Sequence, residues 1–83
     1  MNVDDTEVVH LLDEHQFVID MGQARASLSY DLFDDRINFT HTFVPTGLRG
    51  QGLAEKLVRH GLSWARSERL AIETSCWYVQ KFL

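Results

Sequence analysis

Two runs in the first half of the chain alternate between apolar and polar residues, which is typical of β-strands with one buried face. In residues 24–32 the apolar positions are Ala24, Ala26, Leu28, Tyr30 and Leu32. In residues 36–44 the same alternation places Ile37, Phe39, His41 and Phe43 on one face. A shorter run before them, HQFVIDMG, predicts a strand over Gln16–Asp20 that ends in a turn at Met21-Gly22. Because only short turns separate the runs, they predict an antiparallel meander of three strands, preceded by frayed, polar residues 2–9.

The period then changes to that of an amphipathic helix, which we expect over residues 52–67. Its apolar side consists of Leu53, Ala54, Leu57, Val58, Gly61, Trp64 and Ala65. The segment LAIET after it predicts a strand, and the order strand, helix, strand predicts a parallel, right-handed crossover. The last segment, SCWYVQKFL, predicts a short helix capped by Ser75, with Val79, Phe82 and Leu83 facing the core. The predicted fold class is therefore α/β.

Length, composition and charge narrow the class of protein. A chain of 83 residues suits one domain, which we expect over residues 1–83. Its single cysteine excludes an internal disulfide framework. Neither a membrane-spanning run nor a signal peptide is evident, so we expect a cytoplasmic protein without a membrane partner. The net charge of -4 argues against general nucleic-acid binding. Basic residues gather in the later half, which indicates either an anionic ligand there or simply two solvated faces.

The segment VPTGLRGQGLAEKL places a glycine-rich loop between a strand and the best predicted helix. Such a loop suits an anion, because the first N–H groups of a helix lack partners and the helix dipole favours negative charge there. A Walker loop is excluded, since Gly52 is followed by Leu53 rather than by Lys and Ser/Thr. The dinucleotide fingerprint is excluded as well, since its third small position falls on Glu55.

The six residues 49–54, RGQGLA, fit the pattern Arg/Gln-x-x-Gly-x-Gly/Ala and resemble the coenzyme A pyrophosphate loop of the GNAT superfamily of N-acetyltransferases. The TFVP strand before the loop and the helix and strand after it also fit, and SCWYVQKFL resembles the C-terminal segment of the smallest stand-alone members. The resemblance runs from about Gln16 to the end. It implies a minimal GNAT-like fold and acetyl-CoA as cosubstrate. The implied coenzyme contacts are Phe43, Val44, Arg49, Gly50, Gln51, Gly52, Leu53 and Ala54.

The chain departs from full-length members of that superfamily, which carry a helix pair after the first strand and a further strand pair at the C-terminus. The acceptor site is therefore expected to be shallow, completed by a second subunit, or incomplete. The chain ends at Leu83 within its last predicted helix, and whether that end is native or truncated stays open.

Four residues are candidates for the chemistry. Cys76 either accepts the acetyl group as a thioester or only lines the pocket, and burial as a small hydrophobe is a further alternative. His41 is either a satisfied core residue or the base that deprotonates the amine, for which Glu73 is a second candidate. Tyr78 either protonates the departing coenzyme A thiolate, as the resemblance implies, or only packs. No histidine or cysteine spacing predicts a structural metal.

The function implied by the resemblance is acetyl-CoA-dependent acyl transfer to an amine. The acceptor is expected to be a small molecule, such as a polyamine, or a lysine side chain. Two alternatives stay open: a module that binds coenzyme A without turnover, and an interaction domain without a ligand. The sequence also leaves open whether the protein is a monomer or a homodimer.

Overall fold

Five strands and two helices follow one another in the computed structural model, which describes residues 7–22 and 24–83. The elements are β1 (Val9–Leu11), β2 (Gln16–Asp20), β3 (Arg25–Leu32), β4 (Arg36–Phe43), α1 (Leu53–Ser67), β5 (Ala71–Thr74) and α2 (Trp77–Gln80). Short 3-10 turns lie at Leu12–Glu14 and Thr46–Leu48. The strands form one sheet in sequence order, antiparallel from β1 to β4 and parallel between β4 and β5. The predicted α/β class, meander and parallel crossover are confirmed.

Strand β1 corrects the prediction that the chain is frayed up to residue 9. Val9 pairs with Val18 of β2, which extends the meander to four antiparallel strands. Residues 2–6, the rest of the segment predicted to be frayed, lie outside the described part of the chain. Three residues are too few to show a period, so the pairing partner in β2 rather than the local sequence defines this strand.

One face of the sheet packs against α1 and forms the core. Helix α1 buries most of its predicted stripe, with Leu57, Val58 and Ala65 wholly inaccessible to solvent, whereas Ala54 and Trp64 are only partly buried. The sheet contributes Phe17, Ile19, Ala26, Leu28, Tyr30, Ile37 and Phe39. Gly61 lies where the helix meets the sheet, because a Cβ built there would come within 2.9 Å of a methyl of Leu28. This contact places α1 close to the middle of the sheet and thereby positions the loop that precedes it.

A β-bulge in β4 overturns the predicted orientation of its second half. Tyr30 pairs with Phe39 but Ser29 pairs with His41, so Thr40 is an extra residue without a partner in the register. One extra residue exchanges the two faces of a strand beyond it. His41 and Phe43 are therefore exposed on the outer face of the sheet rather than aligned with Phe39 on the core face. Thr42 takes the core face, opposite the buried Leu28.

The C-terminal helix differs from its prediction in two details. Its N-cap residue is Cys76, and no side chain caps it, so Ser75 is not a cap. Ser75 instead hydrogen-bonds the side chain of Asn38 in β4. Val79 is buried and Phe82 packs against the core as predicted, whereas Leu83 is 56% exposed and does not face the core.

Candidate functional site

Strands β4 and β5 separate halfway along β4, and the gap between them is the centre of the candidate site. Their pairing ends where Phe39 meets Thr74, and the N–H of Ser75 donates the last bond to the carbonyl of Phe39 at 3.0 Å. Strand β4 continues to Phe43 without β5 beside it. A cavity of about 580 Å³ occupies this gap, lined by Thr40, His41, Thr42, Val44, Arg49, Ala54, Ser75, Cys76, Trp77 and Tyr78. Consecutive residues of β4, His41 and Thr42, contribute to this lining although their side chains point to opposite faces of the sheet.

The glycine loop forms a second, smaller cavity of about 200 Å³ beside the first. Gly50 and Gly52 adopt φ angles of 84° and 75°, a left-handed conformation that glycine reaches without steric cost. A Cβ at either position would meet no heavy atom within 4 Å, so the space above the loop is open. No side chain caps α1, whose first intrahelical bond runs from the N–H of Lys56 to the carbonyl of Gly52 at 3.1 Å. The preceding N–H groups of the first turn remain available for an anion.

The predicted coenzyme contacts divide into those that line the two cavities and those that do not. The lining residues are Val44, Arg49, Gly50, Gly52, Leu53 and Ala54, of which Val44, Arg49 and Ala54 belong to both cavities. Phe43 and Gln51 are exposed and line neither. Arg49 donates its Nε–H to the carbonyl of Val44 at 3.1 Å, so its side chain folds back onto the end of β4.

The thiol of Cys76 projects into the larger cavity toward β4. Its Sγ lies 3.6 Å from Oγ1 of Thr42. Partial burial acts to raise the pKa of Cys76, but hydrogen bonds from the backbone of Val79, Tyr78 and Thr42 and from the Thr42 hydroxyl outweigh it. The net effect places the pKa below its ordinary value, which favours the nucleophilic thiolate.

The other chemical candidates are brought together only in part. His41 and Tyr78 both line the larger cavity with Cys76. Burial is the main effect that raises the pKa of Tyr78, with the Glu55 carboxylate adding to it and Arg59 opposing it. Glu73, the second candidate base, lies outside the lining and pairs with Arg36 at 3.3 Å.

Sequence reasoning missed the threonines that frame the site. Thr42 contacts the thiol directly, and Thr74 bonds the backbone of Cys76. Trp77, 74% exposed at the rim, also lines the cavity. A hydroxyl residue two positions before Cys76 is the one local signal, because Ser and Thr accept bonds from the N–H two residues on. Nothing local signals Thr42, whose orientation depends on the bulge.

The described residues, 7–22 and 24–83, contain neither a candidate metal cluster nor a candidate membrane-spanning helix. Within these ranges, no cluster of three or more His, Cys, Asp or Glu side chains is arranged to hold a metal ion. No helix in the same ranges is long and apolar enough to cross a membrane.

Comparison with known proteins assigns the chain to a family. Residues 16–83 match the family model of the GCN5-related N-acetyl-transferases. Protein NATD1 of Bos taurus is 35% identical over 79 residues, which cover 92% of this chain and 70% of that protein. Protein NATD1 of Homo sapiens is 34% identical over 79 residues, which again cover 92% of this chain and 70% of that protein.

A solved structure agrees with this assignment. The solution NMR structure of a GCN5-like candidate N-acetyltransferase from Staphylococcus aureus superposes with a TM-score of 0.70 at 32% identity. The match covers 93% of this chain and 76% of the other. The glycine loop, the split between β4 and β5 and the segment around Cys76 all lie within the residues that the family model matches. The chain belongs to the GCN5-related N-acetyltransferase family.

Proposed function

We propose that this protein transfers the acetyl group of acetyl-CoA to an amine. The observation that carries the proposal is that the cavity between β4 and β5 adjoins the cavity at the glycine loop. The two cavities share the lining residues Val44, Arg49, Ala54 and Tyr78. One cavity offers sites for an anion, and the other offers a thiol, an imidazole and a phenol. A long ligand with phosphates at one end and a reactive group at the other fits this arrangement.

The loop suits the pyrophosphate of coenzyme A. The first turn of the 15-residue helix α1 presents backbone N–H groups, and a helix N-terminus favours negative charge. The left-handed glycines leave the approach open, and Arg49 adds a positive charge. Glu55 also lines this cavity, but its carboxylate pairs with Arg59 at 2.9 Å, which offsets its repulsion of a phosphate.

The edge of β4 suits the extended arm of coenzyme A. Beyond Phe39 the side of β4 that faces the gap is not paired with β5, and an extended ligand can add to such an edge as a strand does. The carbonyl of Val44 is already bonded by Arg49. That oxygen keeps a second lone pair, so the arm can pair at Val44 whether or not Arg49 turns to a phosphate oxygen at the adjoining loop.

The chemistry then falls to the three side chains that line the larger cavity. Acetyl-CoA supplies an activated acetyl thioester. His41 accepts the proton that the amine loses before it attacks. Tyr78 donates a proton to the departing sulfur. A phenol of ordinary pKa is already protonated at neutral pH, and the raised pKa of Tyr78 acts in the same direction. Cys76 takes one of two roles, as a nucleophile that carries the acetyl group or as a wall of the acyl site.

Binding is tested by the shift in melting temperature with acetyl-CoA. A ligand at a hundred times its Kd stabilises by about 2.7 kcal/mol, which for a small domain corresponds to a rise of roughly 10–20 °C. Gly52→Asn is the informative variant, because asparagine tolerates the left-handed conformation while its side chain fills the approach to the loop. It should fold and lose the shift. Gly47→Ala, at a glycine without a positive φ or close neighbours, is the matched control and should keep it.

Transfer is tested with a panel of amines that includes polyamines and lysine peptides. Acetylation of an amine that depends on His41 and Tyr78 supports the proposal. Intact mass after incubation with acetyl-CoA alone separates the two roles of Cys76, since an acetyl adduct absent in Cys76→Ala indicates a covalent route. Binding without transfer to any amine would leave a coenzyme-binding module, and no binding would overturn the proposal altogether.

A further inference from the structure

Thr74, the last residue of β5, holds the point at which β4 and β5 separate. Its Oγ1 lies 2.8 Å from the carbonyl oxygen of Phe39 and 2.9 Å from the backbone nitrogen of Cys76. A longer contact of 3.2 Å joins it to the carbonyl oxygen of Cys76. The side chain is half-buried, and Thr74 is not among the residues that line the cavity. Its contacts are therefore with the framework of the site and not with the space that a ligand would fill.

In the two short bonds the Thr74 hydroxyl acts once as a donor and once as an acceptor. A threonine hydroxyl has one proton to donate and two lone pairs with which to accept. The proton goes to Phe39, the nearer carbonyl, and a lone pair accepts the N–H of Cys76. The Phe39 carbonyl also accepts the N–H of Ser75 at 3.0 Å, so two donors from the β5 side meet on one acceptor of β4. Immediately beyond it comes Thr40, the bulged residue.

This arrangement determines where the sulfur of Cys76 lies. The backbone of Cys76 is extended, with φ -92° and ψ 122°, and its N–H is held by Thr74. The sulfur then reaches across the gap to Oγ1 of Thr42. If the N–H were released, the turn between β5 and α2 would be free to rotate. The contact of the sulfur with Thr42 and with the N–H groups of α2 would then weaken together.

We propose that Thr74 is the positioning residue of the site: its hydroxyl holds the Cys76 backbone against β4 and so keeps the thiol aligned with Thr42. The role of the Cys76 thiol in acyl transfer rests on the function proposed above. The effect of Thr74 on where that thiol lies does not depend on the proposed function. Burial acts to raise the pKa of Cys76 and several hydrogen bonds to the sulfur lower it, so a loss of the alignment should raise this pKa.

The test is the pH dependence of Cys76 alkylation by iodoacetamide, measured on the full chain without acetyl-CoA. The chain has one cysteine, so the reaction is unambiguous. The rate at neutral pH is divided by the plateau rate at high pH, which removes differences in access to the thiol. Thr74→Val deletes the hydroxyl at constant shape and should lower this ratio about two- to tenfold, the range that loss of one hydrogen bond spans. Thr74→Ser keeps the hydroxyl and should restore the wild-type ratio.

Asn38→Ala is the matched control, because it removes an exposed side-chain bond to Ser75 in the same turn and leaves Thr74 intact. It should keep the wild-type ratio. A wild-type ratio in Thr74→Val, or a lowered ratio in Thr74→Ser, would overturn the proposal. If Thr74→Val does not fold, hydrogen exchange of the Cys76 amide decides: protection in the wild type and in Thr74→Ser supports the proposal, and rapid exchange in the wild type overturns it. Failure of acetyl-CoA to bind would refute the proposed function and leave these readings unaffected.

Discussion

Gly61 offers a direct test of how α1 is seated on the sheet. Replacing it with alanine adds a Cβ that would lie 2.9 Å from Cδ2 of Leu28, 3.1 Å from Cε1 of Phe39 and 3.4 Å from Cε2 of Phe17. The two nearer distances are shorter than ordinary carbon–carbon contacts of about 3.5–4.0 Å. Leu28, Phe39 and Phe17 are all wholly buried, so none can turn outward to make room. Either these side chains must shift within the core, or the helix and the sheet must move apart.

Two effects of opposite sign decide the result. Alanine in place of glycine in the interior of a helix stabilises it by about 1 kcal/mol. Overpacking of a well-filled core costs about 1–3 kcal/mol. The closest contact is below 3 Å and lies in the core, so we place the cost near the middle of its range. The expected net effect is a loss of about 1 kcal/mol in the free energy of unfolding, or roughly 4–8 °C in Tm for a domain of this size.

Thermal unfolding of Gly61→Ala measures this loss, with Gly47→Ala as the matched control. A Cβ added at Gly47 would meet no heavy atom within 4 Å, and its φ is not positive, so this variant should match or slightly exceed the wild-type Tm. Gly61→Val, with two more methyl groups at the same point, should lose more than Gly61→Ala. A Gly61→Ala variant more stable than the wild type would show that the helix lies farther from the sheet than described and would refute the reasoning.

Two further predictions concern titration and charge. Burial lowers the pKa of His10 in the folded protein, and the charge of His60 lowers it further. The unfolded chain therefore binds this proton more tightly, so Tm should fall as the pH drops from about 6.5 toward the lower pKa of the folded state. His10→Gln should flatten this dependence, and equal slopes in the variant and the wild type would contradict the assignment. Arg49→Ala should weaken coenzyme A about tenfold or more by calorimetry, since charge-assisted hydrogen bonds contribute about 1.5–3 kcal/mol, but should weaken pantetheine, which lacks the pyrophosphate, much less. Equal weakening of both ligands would place Arg49 away from the phosphates.

The bulge at Thr40 shows why part of the site could not be predicted. Strict alternation in residues 36–44 is a genuine strand signal, and β4 is a strand over Arg36–Phe43. The alternation nevertheless assigns His41 to the wrong face, because nothing local marks one residue as unpaired. The extra residue is visible only in the register with β3, where Ser29 pairs with His41 and Tyr30 with Phe39. The orientation of Thr42 toward Cys76 follows from the same register.

The sequence by itself determined the features whose signal is local. The periodicity of α1 indicated its bounds to within a residue, because an amphipathic helix repeats its pattern over several turns. The glycine loop before α1 was predicted for a similar reason, since a cluster of glycines between a strand and a helix is a local signal. That Gly50 and Gly52, but not Gly47, take a positive φ is seen only in the structure. Only the tertiary structure decided what depends on partners distant in sequence: the pairing of β1, the bulge in β4 and the bond between Thr74 and Phe39, 35 positions apart. Local patterns indicate the type of an element and, where no bulge intervenes, its buried face, whereas register and hydrogen-bond partners depend on the strand that lies alongside.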